Sequence, residues 1–344
     1  MCKKERKRLM SIQIPEQYQS ALSIRETEVA IKTVKDFFER TLAENLNLTR
    51  VSAPLFLPPE TGLNDDLNGV ERPVSFGIRE QGERKVEIVH SLAKWKRHAL
   101  KRYEFQHGEG LYTDMNAIRR DEDTDNIHSI FVDQWDWEKI IRKEERNEET
   151  LKKVVNQVYR SLEETEDYMS NLYPYIKKSL PQDIHFITTS ELEERYPEKT
   201  PKEREYLAVK EYGAIFLMQI GDKLRNGEPH DGRAPDYDDW SLNGDIIVYY
   251  PILDIALELS SMGIRVDEKA LEEQLAKAGC EERKNLPFQK AVLEGKLPYT
   301  IGGGIGQSRI CMFFLKKAHI GEVQSSIWTD ETMESAQKAG LHIL

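Results

Sequence analysis

Near the end of the chain, TIGGGIGQSR (residues 300–309) sets Gly302, Gly303, Gly304 and Gly306 just ahead of Arg309. A strand stripped of side chains lets a flat ring or a phosphate lie on the backbone, and a following arginine can stack on the ring or fork onto the phosphate. The stretch lacks the Gly-Lys-Ser/Thr ending of a phosphate loop and the N-terminal strand–helix unit of a dinucleotide fingerprint. A tight strand-to-helix turn with a solvated arginine is the plainer alternative. Earlier, NAIRRDEDTDNIHSIFVDQWDWE (116–138) places Arg119 before a loop and then alternates with period two. Ile130, Val132, Gln134, Asp136 and Glu138 share one face; Phe131, Asp133, Trp135 and Trp137 share the other. Arg119 with Gln134 and Asp136 could hold a phosphate and a polar substrate together. A solvated turn followed by an edge strand with one polar face explains the same letters.

DIALELSSMGIRVD (254–267) embeds Glu258, Ser260 and Arg265 in an otherwise apolar strand. Such groups need partners or a ligand, because burying them bare is expensive. Glu258 with Asp245 upstream offers the oxygen ligands that Mg²⁺ takes together with phosphates; an internal Glu258–Arg265 salt bridge is the alternative. PHDGRAPDYDDW gathers His230, Asp231, Asp236, Asp238 and Asp239, but one histidine is thin for a transition metal, and an Asp/Pro turn fits as well. VHSLAKWKRHALK (89–101) brings Lys94, Lys96 and Arg97 around Trp95, as a solvated basic helix start or an anion site. Cys2 has no glycine-rich strand beside it and reads as inert.

The elements that must carry these residues are legible by periodicity. Ser23 and Glu26 predict a capping box ahead of a helix with Ala30, Val34, Phe37 and Thr41/Leu42 on one stripe. TRVSAPLFL is strand-like, and Pro54 suits an edge or a strand end. A long helix follows at EETLKKVVNQVYRSLEET, with Leu151, Val155, Val158 and Leu162 inward. DIHFITT, GAIFLMQI, GDIIVYYPI and LSSMGIRV are further strands, more than crossover helices could join in parallel, so a largely antiparallel sheet is expected.

A chain of 344 residues, 39% hydrophobic and 32% charged, suits a globular protein, and its net charge of −11 argues against nonspecific nucleic-acid binding. Cys2, Cys280 and Cys311 form no disulfide or metal spacing, the basic N-terminus lacks a signal-peptide core, and no apolar run crosses a bilayer, so a cytoplasmic protein is expected. Residues 1–19 are expected as a solvated arm, with 20–344 a single catalytic domain.

Taken together, the helix-to-Pro54 strand, the Arg119 loop with its strand, and GGGIGQSR resemble motifs 1, 2 and 3 of the class II aminoacyl-tRNA synthetase core. The strings VHSLAKWKR, GEGLYTDM, DQWDWE, RAPDYDDWS, LNGDI, ELSSMGIRVD and TIGGGIGQSR resemble the ammonia-dependent asparagine synthetases (aspartate–ammonia ligases), from about residue 20 to the C-terminus. The resemblance implies an α+β fold, an eight-stranded, largely antiparallel sheet flanked by helices, and a homodimer. It implies that ATP with Mg²⁺ converts L-aspartate to β-aspartyl-AMP and pyrophosphate, and that ammonia then displaces AMP to give L-asparagine. By it, Arg119, Gln134 and Asp136 are catalytic. Asp65 and Asp136 take the α-ammonium, Lys96 and Arg265 the α-carboxylate, and Ser91, Asp238 and Ser261 line the aspartate pocket. Arg119, Gly302, Gly303, Gly304, Gly306 and Arg309 bind ATP, and Asp245 and Glu258 bind Mg²⁺. The chain departs from the pattern in its N-terminal extension and in the short stretch between Trp240 and Leu242. A class II tRNA ligase for aspartate, asparagine or lysine, or an inactive regulatory paralogue, are the rival readings; the first lacks an anticodon module before residue 20. No membrane or nucleic-acid partner is expected.

Overall fold

The computed structural model describes residues 12–65, 67 and 71–344, so Cys2 and the first part of the expected arm lie outside the described residues. In chain order the elements are α1 (Ile24–Leu46), β1 (Leu48–Arg50), β2 (Phe56–Leu57), β3 (Ser75–Ile78), β4 (Arg84–Ile88), α2 (Ala93–Arg102), β5 (Gly110–Ile118), β6 (Phe131–Ile140), α3 (Glu148–Leu172), β7 (His185–Thr188), α4 (Thr189–Arg195) and α5 (Pro201–Tyr212). They continue with β8 (Ala214–Met218), β9 (Asp238–Tyr250), β10 (Ile255–Arg265), α6 (Glu268–Lys277), α7 (Pro287–Leu293), β11 (Thr300–Gly306), α8 (Gln307–Phe314) and α9 (Asp330–Lys338).

Eight strands form one sheet in the order β1-β5-β6-β11-β10-β9-β8-β7, antiparallel throughout except for the parallel pairs at its two edges, β1 with β5 and β7 with β8. The expected antiparallel sheet is therefore present. A smaller antiparallel sheet, β2-β4-β3, lies apart from it, and Pro54 sits where the chain leaves one sheet for the other. A proline there removes no ladder hydrogen bond.

One face of the large sheet is the apolar core. Trp135, Trp137, Met262, Ile264, Ile301 and Ile305 pack beneath α1, α3 and α8. The capping box at Ser23 and Glu26 forms as expected and starts α1. Its buried stripe runs Ala30, Ile31, Val34, Phe38, Leu42 and Leu46. Phe38, not Phe37, therefore enters the core; Phe37 stacks on Tyr168 of α3 at its margin, 4.0 Å between centroids. The stripe of α3 is buried as expected. No helix among the described residues is long and apolar enough to cross a membrane.

The opposite face is polar, and register explains how. β6 pairs with β11 so that Gly302 stands beside Glu138, Gly304 beside Asp136 and Gly306 beside Gln134. Opposed residues of a ladder project to the same side, so each glycine leaves its space to a polar neighbour. β6 lies between β5 and β11, which corrects the edge-strand alternative. Along β10, Glu258 and Ser261 are three apart and would point to opposite faces. A register shift between Glu258 and Ser260 restores both to the polar face. Ser260 is thereby turned to the other side. A second irregularity in the same pair sets Arg265 opposite Asp238. The chain passes from Trp240 to Leu242 inside β9, with no loop between them.

At the N-terminal side, residues 12–19 are tied down. The Gln13 amide donates to Asn126 Oδ1 at 2.8 Å, and the Tyr18 hydroxyl donates to Glu322 at 3.0 Å.

Candidate active site

The polar face opens into a cavity of about 470 Å³. Helix α2 and the loops before β6 and β9 wall it, and β6, β10 and β11 make its floor. Of the residues singled out in the sequence, Asp65, Ser91, Lys96, Arg119, Gln134 and Asp136 line it. So do Asp238, Glu258, Ser261, Arg265, Gly303, Gly304, Gly306 and Arg309. Gly302 and Asp245 do not line it, but each neighbours a residue that does, Gly302 beside Arg265 and Asp245 bonded to Arg233.

Lys96 is fully buried, which corrects the reading of VHSLAKWKRHALK as a solvated helix start. Its ammonium donates to Asp136 Oδ1 and to the Gly303 carbonyl at 2.9 Å. Burial pushes its pKa down, with Asp136 opposing. One Lys96 N–H and the buried, unpartnered Asp136 Oδ2 are left over. An ammonium and a carboxylate on one small molecule would complete both. The neighbouring cations of α2 are structural: Lys94 pairs with Asp236 at 3.1 Å, and Arg97 donates to the carbonyls of Pro298 and Val266.

Arg265 lies between two carboxylates. Nε and Nη2 donate to Glu138 at 3.0 and 2.7 Å, and Nη1 donates to Asp238. The alternative Glu258–Arg265 salt bridge is thus absent; Glu258 instead stands 3.8 Å from Arg309, whose Nη1 also donates to the Glu258 carbonyl at 3.1 Å. Burial works against the Arg265 charge, but Glu138 and Asp238 more than offset it and hold its pKa above the ordinary arginine value. Asp65 is buried at the same end, its Oδ1 accepting from the Leu67 amide at 3.2 Å. The Ser91 hydroxyl oxygen accepts from the Ala93 amide at the start of α2.

Arg119 is different. Its backbone is fixed by a 2.9 Å bond to the Ile130 carbonyl. Its Nε is buried without a partner, and among the described residues it makes no salt bridge. A guanidinium held over a cavity with nothing to neutralise it is prepared for an anion.

Asp245 and Glu258 lie close enough to interact electrostatically, beside Arg233. Asp245 Oδ2 accepts from Arg233, while Oδ1 is buried and unpartnered. Among the described residues no group of three His, Cys, Asp or Glu forms a metal cluster. Two carboxylates, one with an unpartnered oxygen, still fit Mg²⁺, which ordinarily takes one or two carboxylates plus phosphate oxygens and water. Burial, reinforced by Glu258 and opposed by Arg233, pushes Asp245 up to about 6. The folded carboxyl thus holds its proton more tightly than the unfolded one. Its contribution to stability is present below about pH 4 and is lost as pH rises through about 6. Without added divalent cation, the parent should therefore lose stability relative to Asp245→Asn as pH rises from about 4 to about 7. Urea unfolding at the two pH values measures this, and parallel pH dependences would contradict it.

The remaining acidic cluster disperses. His230 pairs with Glu205, Asp239 with Arg146, and Asp231 approaches Lys202 at 3.5 Å. Sequence reasoning did not single out Arg233, Lys202, His128 and Tyr237, which stand on the cavity wall, although Arg233 and Tyr237 lie within RAPDYDDWS and His128 within the segment that follows Arg119. Arg233 was within reach: a lone arginine beside four aspartates, and its partner Asp245 had already been singled out.

The family model for aspartate–ammonia ligase matches residues 25–340. An aspartate–ammonia ligase of Clostridium perfringens is 66% identical over 331 residues, covering 96% of this chain and 98% of the relative. Those of Fusobacterium nucleatum and Lactobacillus johnsonii are 65% and 60% identical, covering 95% and 97% of this chain and 99% and 100% of the relatives. Among solved structures, an asparaginyl-tRNA synthetase from Pyrococcus horikoshii complexed with asparaginyl-adenylate superposes with a TM-score of 0.60 at 12% identity, covering 87% of this chain and 68% of that one. The asparaginyl-tRNA synthetase of Entamoeba histolytica gives 0.59 at 11%, covering 88% and 67%. At such identities the likeness is one of fold, and the fold is that of the class II synthetases. The match along nearly the whole chain, on a sheet whose polar face carries the Lys96–Asp136 and Arg265 pairs, places this protein in the aspartate–ammonia ligase family.

Proposed function

We propose that the protein makes L-asparagine from L-aspartate, ammonia and ATP, releasing AMP and pyrophosphate through β-aspartyl-AMP. Arg119 carries this reading: an unpaired guanidinium shares one cavity with the Lys96–Asp136 pair and Arg265. A carboxylate attacking the α-phosphorus brings two anions together, and a planar fork that donates to both lowers that barrier without consuming the nucleophile. Asp136 Oδ2 and Asp65 would receive the α-ammonium, and the remaining N–H groups of Lys96 and Arg265 the α-carboxylate. The side-chain carboxylate is then the end left to react, beside Gln134. Asp238, Ser91 and Ser261 complete that end of the pocket. Ammonia enters as ammonium, and a carboxylate must accept its proton before it attacks the acyl carbon.

ATP would lie along β11 on Gly303, Gly304 and Gly306, with Arg309 at the far end. Mg²⁺, held by Asp245 and Glu258, would supply charge neutralisation for the departing pyrophosphate. A single domain over 20–344 and a cytoplasmic homodimer belong to the same proposal; exposed Ile24 and Val29 on α1 and the Phe56–Phe76 pair supply apolar surface for a partner. The tRNA-ligase rival rests on fold alone, since those structures share only 11–13% identity. The inactive-paralogue rival fits poorly with an uncompensated Arg119.

The test incubates the protein with ATP, Mg²⁺, L-aspartate and an ammonium salt and identifies the products. Asparagine and AMP in equal amounts are expected. ADP with asparagine would mean an acyl-phosphate route, and no asparagine would refute the reading.

A further inference from the structure

Glu138 is fully buried and is not part of the cavity wall, yet it engages the cavity residue Arg265 more extensively than Asp238 does. Both its oxygens are occupied by the protein. Oε1 and Oε2 each accept from Arg265 Nε at 3.0 Å, Oε2 also accepts from Nη2 at 2.7 Å, and Oε1 accepts from the Thr300 hydroxyl at 2.7 Å. Burial alone would raise its pKa, but Arg265, together with Lys96 and the Thr300 hydroxyl, holds it below the ordinary glutamate value. Nothing on this carboxylate is left for a ligand. Of the five N–H groups of Arg265, Glu138 takes those on Nε and one on Nη2, and Asp238 takes one on Nη1. One N–H on each terminal nitrogen is left, the number of donors a planar carboxylate takes when it is met by a guanidinium fork.

The space for this clamp comes from Gly302. A Cβ there would overlap Glu138 Oε2 and lie 2.7 Å from Arg265 Nη2, and it would also come within 2.6 Å of the Trp137 carbonyl on the paired strand. At Gly304 it would meet Gln134 Oε1 at 2.8 Å, and at Gly306 only the Arg309 side chain at an ordinary 3.5 Å. The glycine strip therefore changes role along its length, from the Arg265 clamp through the Gln134 contact to open space beside Arg309.

We infer that Glu138, backed by Thr300 and given room by Gly302, is the positioning residue that aims Arg265 at the α-carboxylate of the amino-acid substrate, so that Gly302 serves the amino-acid end of the cavity and not the nucleotide. The inference rests on the aspartate-ligase reading above. It makes substrate selectivity depend on residues that the substrate never touches. Without the clamp, Arg265 falls to Asp238 alone, and a site built to pair a carboxylate loses its advantage over analogues that lack one.

Steady-state AMP formation by the full chain tests it, with ATP and L-aspartate varied separately and β-alanine, which lacks the α-carboxylate, as the competing substrate. Glu138→Gln is expected to raise the KM for L-aspartate about 30-fold or more, with the KM for ATP changed less than about threefold. Its preference for L-aspartate over β-alanine should fall by about tenfold. Gly302→Ala should show the same split, and Thr300→Val a smaller one of about three- to tenfold. If Glu138→Gln does not fold, the other two variants carry the test. A rise in the ATP KM on Gly302→Ala, an equal rise in both KM values, or unchanged L-aspartate kinetics would overturn the assignment. Wild-type protein that forms no asparagine would instead overturn the reading on which it rests, so the two failures are separable.

Discussion

Arg119→Ala is expected to lower pyrophosphate release in the presence of ATP, Mg²⁺ and L-aspartate by about a thousandfold or more. Its urea unfolding midpoint should stay near that of the parent. Both halves follow from one observation: among the described residues the guanidinium has no carboxylate partner, and its Nε is buried unpaired. Removing a charge that the fold does not compensate relieves a desolvation penalty, so stability does not suffer. On the proposed reaction the same charge would face two anions that approach each other, where an oriented fork has its largest effect. Arg119→Lys should recover only a small part of the rate, because a single ammonium cannot donate to both partners as a planar fork does. A rate within tenfold of the parent for Arg119→Ala would remove this residue from the chemistry.

Lys96 should behave in the opposite way toward stability. Lys96→Met leaves Asp136 charged and buried after losing the ammonium that bonds its Oδ1. Stripping one partner from a buried pair destabilises by about 3–5 kcal/mol. The double variant Lys96→Met/Asp136→Leu should recover most of that loss, since two apolar side chains in place of a buried ion pair are often neutral or better. Neither variant should form AMP. Chemical unfolding of Lys96→Met, Asp136→Leu and the double variant gives the coupling between the two positions. Additive losses, or a single variant as stable as the parent, would mean that the pair does not act as a unit. The contrast with Arg119 separates a charge the fold has neutralised from one it has left for a ligand.

Much of this was written in local sequence. The Ser23–Glu26 capping box, the inward stripe of α3 and the period-two pattern of β6 depend on neighbours within a turn or two, so chain letters determined them. The same alternation already put Gln134, Asp136 and Glu138 on one face. Register errors were small where they occurred: Phe38 enters the core in place of Phe37 because the stripe of a real helix drifts by one position over several turns.

Partnership was decided elsewhere. Glu258 and Arg265, seven residues apart, looked like natural partners. The bulge in β10 and the crossing of β6 instead gave Arg265 to Glu138, 127 residues away, and left Glu258 to Arg309. Of the two readings open for Lys94, Lys96 and Arg97, a solvated basic start or an anion site, the solvated one falls, because the docking of α2 over β6 and β11 buries all three and assigns each a different acceptor. Sequence determines which groups are charged and which face of an element they occupy, because both follow from covalent structure and backbone period. Which charge cancels which depends on strand register and layer packing between distant segments, and only the folded chain sets those distances.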